Sequence, residues 1–231
     1  MTVGRLSGIT YYPVKGCAGT ALPTATLTRA GLPYDRSYAI ADEKGDPRWQ
    51  GGDPALALIA PELTGGGLTL RAPGREPVAA DSGDVHAWLT DVLGAPSTLV
   101  RCPAGHGGRL HVVSRSSLDA LNRRIVARGA APVPMNRFRP NLVVDGWSAP
   151  HAEDGAARLV VGAAELSFVE ATIRCAVTMV DQRTGVRSGP EPLRTLADYR
   201  RADGGGLAFG AYFEVRRAGR VSVGDEVTGD A

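Results

Sequence analysis

Glycine and proline set the strongest constraint on how this chain can fold. The 231 residues include 30 glycines and 16 prolines, which divide the apolar sequence into short runs. In SYAIADEKGDPRWQ, LTLRAPGREPVAA and RVSVGDEVTG, a turn sequence that contains glycine separates two short runs with strand character. Because glycine and proline are unfavourable inside helices and frequent in turns, this pattern favours short strands joined by tight turns over a helical bundle. The sequence therefore predicts a β-rich fold.

Three segments have the apolar spacing of short helices. DVHAWLTDVLG carries its apolar residues on one side and stops at Gly94, SRSSLDALNRRIVARG opens with serines and stops at Gly129, and EPLRTLADYRR has Pro192 placed for a first turn. Serine at the start and glycine at the end are typical helix boundaries, and proline is tolerated in the first turn. We therefore expect an α+β chain in which a few short helices accompany the strands.

One Gly- and Pro-rich run without apolar periodicity, LVRCPAGHGG, indicates a domain boundary near residues 95–108. The length suits one large β unit or two small domains. We predict two β-rich domains, residues 1–100 and 101–231.

Charge and hydropathy exclude several classes of protein. The net charge is +2 and the arginines are scattered, which is unlike a nucleic-acid-binding surface. No apolar run approaches the roughly 20 residues of a membrane span, and the first residues lack a hydrophobic signal core. The three cysteines, Cys17, Cys102 and Cys175, form no C-x-x-C pair, which argues against a disulfide framework. We expect a soluble, cytoplasmic protein that binds neither nucleic acid nor membrane.

Cys175 has two interpretations. As a strand, IRCAVTMVD places Ile173, Cys175 and Val177 on one face. Free cysteine is often buried, so alternation by itself predicts a core residue. The alternative is a thiolate directed at a metal ion.

Five sequence words favour the second interpretation. They are, in order, YPVKGCAG (12–19), YDRSYAI (34–40), FRPNLVVDG (138–146), IRCAVTMVDQRTG (173–185), and FGAYFEV with GRVSVGDEV (209–227). Together they resemble the MOSC family, named for the molybdenum cofactor sulfurase C-terminal domain, preceded by the MOSC N-terminal β-barrel domain as in the amidoxime reducing components. The resemblance covers essentially the whole chain. It implies a β-barrel-like N-terminal domain packed on a MOSC β-barrel.

The resemblance also implies a site. In the family the cysteine of R-C-x-x-T-x-V-D is the protein ligand to molybdenum, which corresponds to Cys175 here, and a neighbouring Arg174 would favour its thiolate form. Thr178 and Asp181 belong to the same word, and their roles are open between site and scaffold. Cationic and amide side chains suit a pterin phosphate, and the resemblance assigns this role to Lys15, Arg36, Arg139, Asn141 and Arg174.

The implied activity is that of an oxidoreductase dependent on the molybdenum cofactor (molybdopterin). Its small-molecule substrate would be N-oxygenated, such as a hydroxylamine or an amidoxime, and would lose its oxygen atom. The sequence has no cysteine cluster for an iron–sulfur centre and no flavin or nicotinamide fingerprint, so we expect a separate electron-donor protein, a reductase or a ferredoxin. Two alternatives remain: a sulfur carrier or sulfurtransferase with a persulfide on Cys175, and a non-catalytic cofactor-binding module.

Overall fold

The computed structural model describes residues 2–65, 67–102 and 107–230. The strands in these ranges are β1 Thr2–Tyr11, β2 Thr20–Leu22, β3 Thr24–Leu27, β4 Tyr38–Ala41, β5 Ala60–Thr64, β6 Gly67–Arg71, β7 Val78–Ala79, β8 Thr98–Arg101, β9 Arg109–Ser114, β10 Leu142–Asp145, β11 Arg158–Val161, β12 Ala164–Arg174, β13 Val180–Asp181, β14 Val186–Arg187, β15 Leu207–Arg217, β16 Gly219–Ser222 and β17 Glu226–Asp230. The helices are α1 Val85–Leu93, α2 Arg115–Ala127, α3 Ala152–Gly155 and α4 Leu193–Tyr199. The predicted β-rich fold with a few short helices is confirmed.

Seven strands close into a barrel. They follow the order β10, β9, β15, β12, β11, β17 and β1, and β1 pairs back onto β10. β9 and β10 are parallel, whereas β1 runs antiparallel to both of its barrel neighbours. Side chains alternate across each strand, so one set fills the barrel interior. That interior is apolar and includes Leu6, Leu110, Leu142, Leu166 and Phe213.

Two further apolar clusters flank the barrel. In the N-terminal half, the β4–β8 pair, the β5–β6–β7 sheet and α1 surround a cluster that includes Val14, Ile40, Leu70 and Leu89. On the C-terminal side, α2 and α4 cover a cluster that contains Phe138 and Phe209, whose rings stack 4.1 Å apart. The segments that carry the sequence words are anchored by these cores.

Strand pairing crosses the predicted domain boundary. β1, from the N-terminal half, supplies one wall of the barrel between β10 and β17, and β3 pairs with β16. Residues 103–106, within the predicted boundary segment, lie outside the described residues. The division at residue 100 stays a prediction, and the first strand belongs to the barrel formed mainly by the C-terminal half.

The predicted helices are confirmed with small shifts at their ends. α1 ends at Leu93, and the capping residue Gly94 has a φ of 68°, the left-handed conformation that glycine tolerates. α2 begins after Ser114, whose hydroxyl accepts a hydrogen bond from the backbone N–H of Ser117. α4 begins one residue later than expected, because Pro192 occupies the capping position in place of the first turn.

Two of the expected turns connect different partners from those of a simple hairpin. After β4, the second strand of SYAIADEKGDPRWQ is reduced to a single bridge at Pro47, since proline has no N–H to extend a ladder. The turn at Gly224 and Asp225 separates β16 from β17, yet β16 pairs with β3 and β17 pairs with β1 and β11. The hairpin through Gly74, between β6 and β7, forms as predicted.

Candidate functional site

Cys175 lies outside the core. β12 ends at Arg174, and Cys175 caps a short 3₁₀ helix, Ala176–Met179, with its side chain exposed. In the strand just before it, Thr172 is 1% exposed and Ile173 is 50% exposed, so the face shared with Cys175 points outward. The core prediction from alternation is therefore wrong. The exposed thiol is compatible with the metal-ligand hypothesis.

Thr178 holds the turn that presents Cys175. Its backbone N–H and its hydroxyl both donate to the carbonyl oxygen of Cys175, at 3.1 and 3.0 Å. Asp181 closes the next turn, since its Oδ1 accepts from the backbone N–H groups of Arg183 and Thr184 at 2.9 and 3.1 Å. Both residues of the family word thus form scaffold contacts within the described structure.

Two arginines from distant sequence words meet at one aromatic ring. The guanidinium carbon of Arg139 lies 4.2 Å from the centroid of the Tyr12 ring, and that of Arg36 lies 4.8 Å from it. Both arginines have a positive φ, 54° and 55°, which is uncommon for residues with a side chain. Such backbone persists only where surrounding contacts hold it. Here one such contact is the 2.7 Å hydrogen bond from the Arg36 N–H to the Tyr12 carbonyl.

The arginine cluster is buried and has an excess of positive charge. Arg36 and Arg139 are buried, and Arg174 is partly buried with its Nη2 donating to the Phe138 carbonyl at 2.8 Å. Asp35 forms an ion pair with Arg36. Among the described residues, no carboxylate forms an ion pair with Arg139 or Arg174. Burial lowers the pKa of Arg139 to about 10 and also lowers the pKa of Arg174. A bound anion would offset this cost because it would pair with the buried cations.

Unpaired donors show where an anion would fit. Arg139 Nη2 and Arg174 Nε are buried and have no hydrogen-bond partner among the described residues. A buried donor without a partner costs about 1–3 kcal/mol. A phosphate offers several acceptor oxygens and suits guanidinium geometry. The residues present therefore fit the phosphate of a pterin cofactor.

The side-chain amide of Asn141 makes three hydrogen bonds inside the protein. Its side-chain Oδ1 accepts from Arg36 Nη1 at 3.2 Å and from the His111 backbone N–H at 3.1 Å. Its Nδ2 donates to the Thr10 carbonyl at 3.1 Å. The amide thus joins β1 to β9 and orients Arg36, while a direct contact with a cofactor stays a prediction.

The loop that carries Lys15 is linked to the cluster through a chain of amides that the sequence analysis missed. The Gly16 carbonyl, next to Lys15, accepts from Gln50 Nε2 at 2.9 Å. Gln50 and Gln182 exchange two hydrogen bonds of 3.0 Å, and Gln182 Oε1 also accepts from Arg139 Nη1 at 3.4 Å. The Lys15 loop and Arg139 are therefore coupled, and Gln182 also lines an adjoining cavity of about 350 Å³.

The signals for these additional residues were weak in the sequence. Gln182 lies inside the Cys175 word, but a glutamine at that position does not indicate a role unless its partner Gln50 is known.

His111 is buried at the same cluster, where burial, with the charges of Arg174 and Arg36, moves its pKa well below the usual value. A single histidine in an apolar strand suggests no role by itself.

The structure combines a closed barrel with an exposed cysteine and a buried arginine cluster, and family models match both halves of the chain. The model of the MOSC domain matches residues 101–228, and the model of the MOSC N-terminal beta barrel domain matches residues 3–92. The chain therefore belongs to the MOSC domain family, with the N-terminal domain preceding it.

Curated relatives resemble nearly the whole chain. It is 31% identical to mitochondrial amidoxime-reducing component 1 of Homo sapiens and 30% identical to mitochondrial amidoxime reducing component 2 of Rattus norvegicus, over 97% of this chain and 82% and 83% of those proteins. Molybdenum cofactor sulfurase of Oryza sativa subsp. japonica is 29% identical over 87% of this chain and 31% of its own length. The solved YUAD protein from Bacillus subtilis covers 97% of the chain, and the chain covers 94% of it, at 13% identity and a TM-score of 0.45.

These findings associate the chain with the molybdenum cofactor and with an enzyme-related family. Within the described part of the chain, no helix combines the length and apolar character needed to cross a bilayer. The relatives are named as mitochondrial, so the cytoplasmic location stays a prediction.

Proposed function

We propose that the protein binds the molybdenum cofactor and reduces N-oxygenated small molecules such as hydroxylamines or amidoximes. The observation that carries this proposal is the juxtaposition of an exposed Cys175 with two arginines, Arg139 and Arg174, that each keep one buried donor without a partner among the described residues. Relatives named as amidoxime reducing components support the substrate class.

In this proposal each part of the site has a distinct task. Arg139, Arg174 and Arg36 hold the cofactor phosphate, and Lys15 contributes a further charge from the adjacent loop. The thiolate of Cys175 is the protein ligand to the metal, a role suited to a soft donor. When bound, the cofactor supplies the two-electron chemistry, and the protein fixes its position.

The overall reaction defines what must be supplied from outside. Reduction of a hydroxylamine to an amine consumes two electrons and two protons and releases one water molecule. We propose that a separate protein, a reductase or a ferredoxin, delivers these electrons in the cytoplasm. Detection of the protein in a cytoplasmic fraction, and its reduction by a purified candidate donor, are the corresponding tests.

The test begins with protein purified from a molybdenum-replete host. We expect molybdenum and pterin in equal amounts and turnover of an amidoxime with an artificial electron donor. Arg139→Ala should lose pterin, whereas the matched control Arg183→Ala, an exposed arginine near the same site, should retain it. Absence of metal and pterin from the wild-type protein would contradict the proposal.

The exposed Cys175 and the sulfurase relative also favour a second candidate, a sulfur carrier. This function predicts a persulfide on Cys175, detectable as an added sulfur atom in the peptide mass, in protein that lacks metal. The buried Cys17 is unsuitable for this chemistry, because burial raises its pKa to about 12 and the thiolate is the reactive form.

A further inference from the structure

Two segments that flank the site each bind the other's main chain through an arginine. Arg174 Nη2 donates to the carbonyl oxygen of Phe138 at 2.8 Å. In the reverse direction, Arg137 Nη1 donates to the carbonyl oxygen of Thr178 at 3.4 Å. We call these two contacts the arginine exchange. It connects the 3₁₀ helix Met135–Phe138 to the turn that follows Cys175.

Arg137 is held on both sides of that turn. Its side chain is 5% exposed, and its Nη2 lies 3.6 Å from Asp181 Oδ2. Burial lowers the pKa of Arg137, and the charge of Asp181 partly offsets this shift. Asp181 is itself fixed by the backbone N–H groups of residues 183 and 184. The guanidinium therefore joins two fixed points, the Thr178 carbonyl and the Asp181 carboxylate.

Thr178 links Arg137 to the backbone of Cys175. Thr178 donates twice to the Cys175 carbonyl, so displacement of Thr178 displaces the backbone that carries the thiol. On the other side, Phe138 immediately precedes Arg139, whose Nη2 is one of the unpaired donors of the cluster. The arginine exchange thus sets the separation between the thiol and the phosphate-binding arginines.

We propose that Arg137 is a positioning residue, which holds the Cys175 turn at a fixed distance from Arg139 and Arg174. This inference rests on the proposed function and deepens it. A cofactor anchored by its phosphate at one end and by a thiolate at the metal requires both anchors at a set spacing. Arg137 acts on that spacing through the main chain: its side chain contacts the Thr178 carbonyl and Asp181, and its buried Nε has no partner among the described residues.

The test compares three variants with the wild-type protein. Arg137→Ala removes the contacts of Arg137 with the Thr178 carbonyl and with Asp181. Arg137→Lys keeps a charge that can reach one of these acceptors, and Arg183→Ala removes an exposed charge beside the same Asp181. Amide hydrogen exchange over residues 175–181 is measured in metal-free protein. In the loaded protein, the pterin content, the thiolate-to-molybdenum absorption band, kcat per molybdenum and KM are measured.

The arginine exchange predicts a specific set of results. In metal-free Arg137→Ala, exchange of the turn amides should become about tenfold faster, the loss expected when a charged hydrogen bond is removed. In the loaded variant, pterin should be retained, the absorption band should shift, and kcat should fall at least about tenfold with little change in KM, because small misplacements of reacting groups are costly. Arg137→Lys should lie between Ala and wild type, and Arg183→Ala should match wild type.

Other results would overturn the inference. Unchanged exchange in Arg137→Ala would show that the turn does not depend on this arginine, whether or not the protein binds metal. Faster exchange with a wild-type absorption band and wild-type kcat per molybdenum would show a purely structural role. Loss of pterin with an unchanged band in the remaining loaded protein would make Arg137 a cofactor-binding residue. If Arg137→Ala does not fold, the same comparisons apply to Arg137→Lys.

A failure of the proposed function gives a different pattern. Wild-type protein without molybdenum or turnover would contradict the function, while the exchange measurement in metal-free protein would still decide whether Arg137 holds the turn. The two ideas are therefore separable.

Discussion

The guanidinium of Arg139 lies 4.2 Å from the centre of the Tyr12 ring, a contact between two sequence words that are far apart in the chain. Tyr12 follows β1, and Arg139 follows the 3₁₀ helix that precedes β10. The Tyr12 hydroxyl also donates to the Pro140 carbonyl at 3.2 Å. Since β1 pairs with β10, the barrel itself brings the two words together.

Replacing the ring tests its contribution to stability. Tyr12→Leu removes the aromatic face from two buried cations, and we expect the free energy of unfolding to fall by about 2–3 kcal/mol. Tyr12→Phe keeps the ring and loses only the hydroxyl contact, so the loss should be about 1 kcal/mol. Urea unfolding measures both. Equal losses in the two variants would argue against a cation–ring contribution.

The phosphate anchors can be tested by cofactor content. Each charge-assisted contact is worth about 1.5–3 kcal/mol, so Arg139→Ala and Lys15→Ala should each weaken pterin retention at least about tenfold. The measurement is the pterin and molybdenum remaining after extensive dialysis, with Arg183→Ala as the control. Full retention in both variants would remove these residues from the anchor set.

The Gln50–Gln182 pair predicts a coupling between the two halves of the chain. Each single alanine variant leaves the other amide without its reciprocal partner, and we expect a loss of about 1–2 kcal/mol in unfolding free energy. The double variant should lose less than the sum of the single losses, by at least about 0.5 kcal/mol. Strict additivity in the double-mutant cycle would show that the two amides do not depend on each other.

His151 predicts a pH dependence away from the site. Both ring nitrogens are buried without partners in the described structure, and burial lowers the pKa of His151 from 6.5 to about 4. The neutral ring is therefore favoured in the folded state, so its contribution is full above pH 6.5 and is lost as the pH falls through about 4. The difference in unfolding free energy between wild type and His151→Gln should change over that range. A difference independent of pH would contradict this.

The helix ends could be predicted from the sequence because the residues that cause them lie at those positions. Gly94 and Ser114 mark helix ends through their own backbone and side-chain chemistry. The exposure of Cys175 could not be obtained in this way. Strand alternation assumes that the strand continues, whereas β12 ends at the preceding residue. A local hydrogen bond from Thr178 and a tertiary contact from Arg137 shape the turn that follows.

The site was predicted only as far as the family words reach. Arg36, Arg139 and Arg174 were assigned by resemblance and lie in one cluster. The Gln50–Gln182 pair and the Arg137 contact to Thr178 depend on partners brought together by folding. Gln182 and Thr178 lie in a family word, but the sequence does not indicate that Gln50 and Arg137 are their partners. Contacts of this kind require the three-dimensional structure.

In the proposed function, the Cys175 thiolate holds molybdenum in a working oxidoreductase. Cys175→Ser keeps the size of the side chain and removes the soft donor. Its turnover of an amidoxime with an artificial electron donor, measured with molybdenum content and melting temperature, is compared with that of Cys17→Ser and Cys102→Ser. We expect Cys175→Ser to lose turnover while much of its pterin and its melting temperature are retained, and the two control variants to remain active. Wild-type turnover by Cys175→Ser at wild-type molybdenum content would contradict the account.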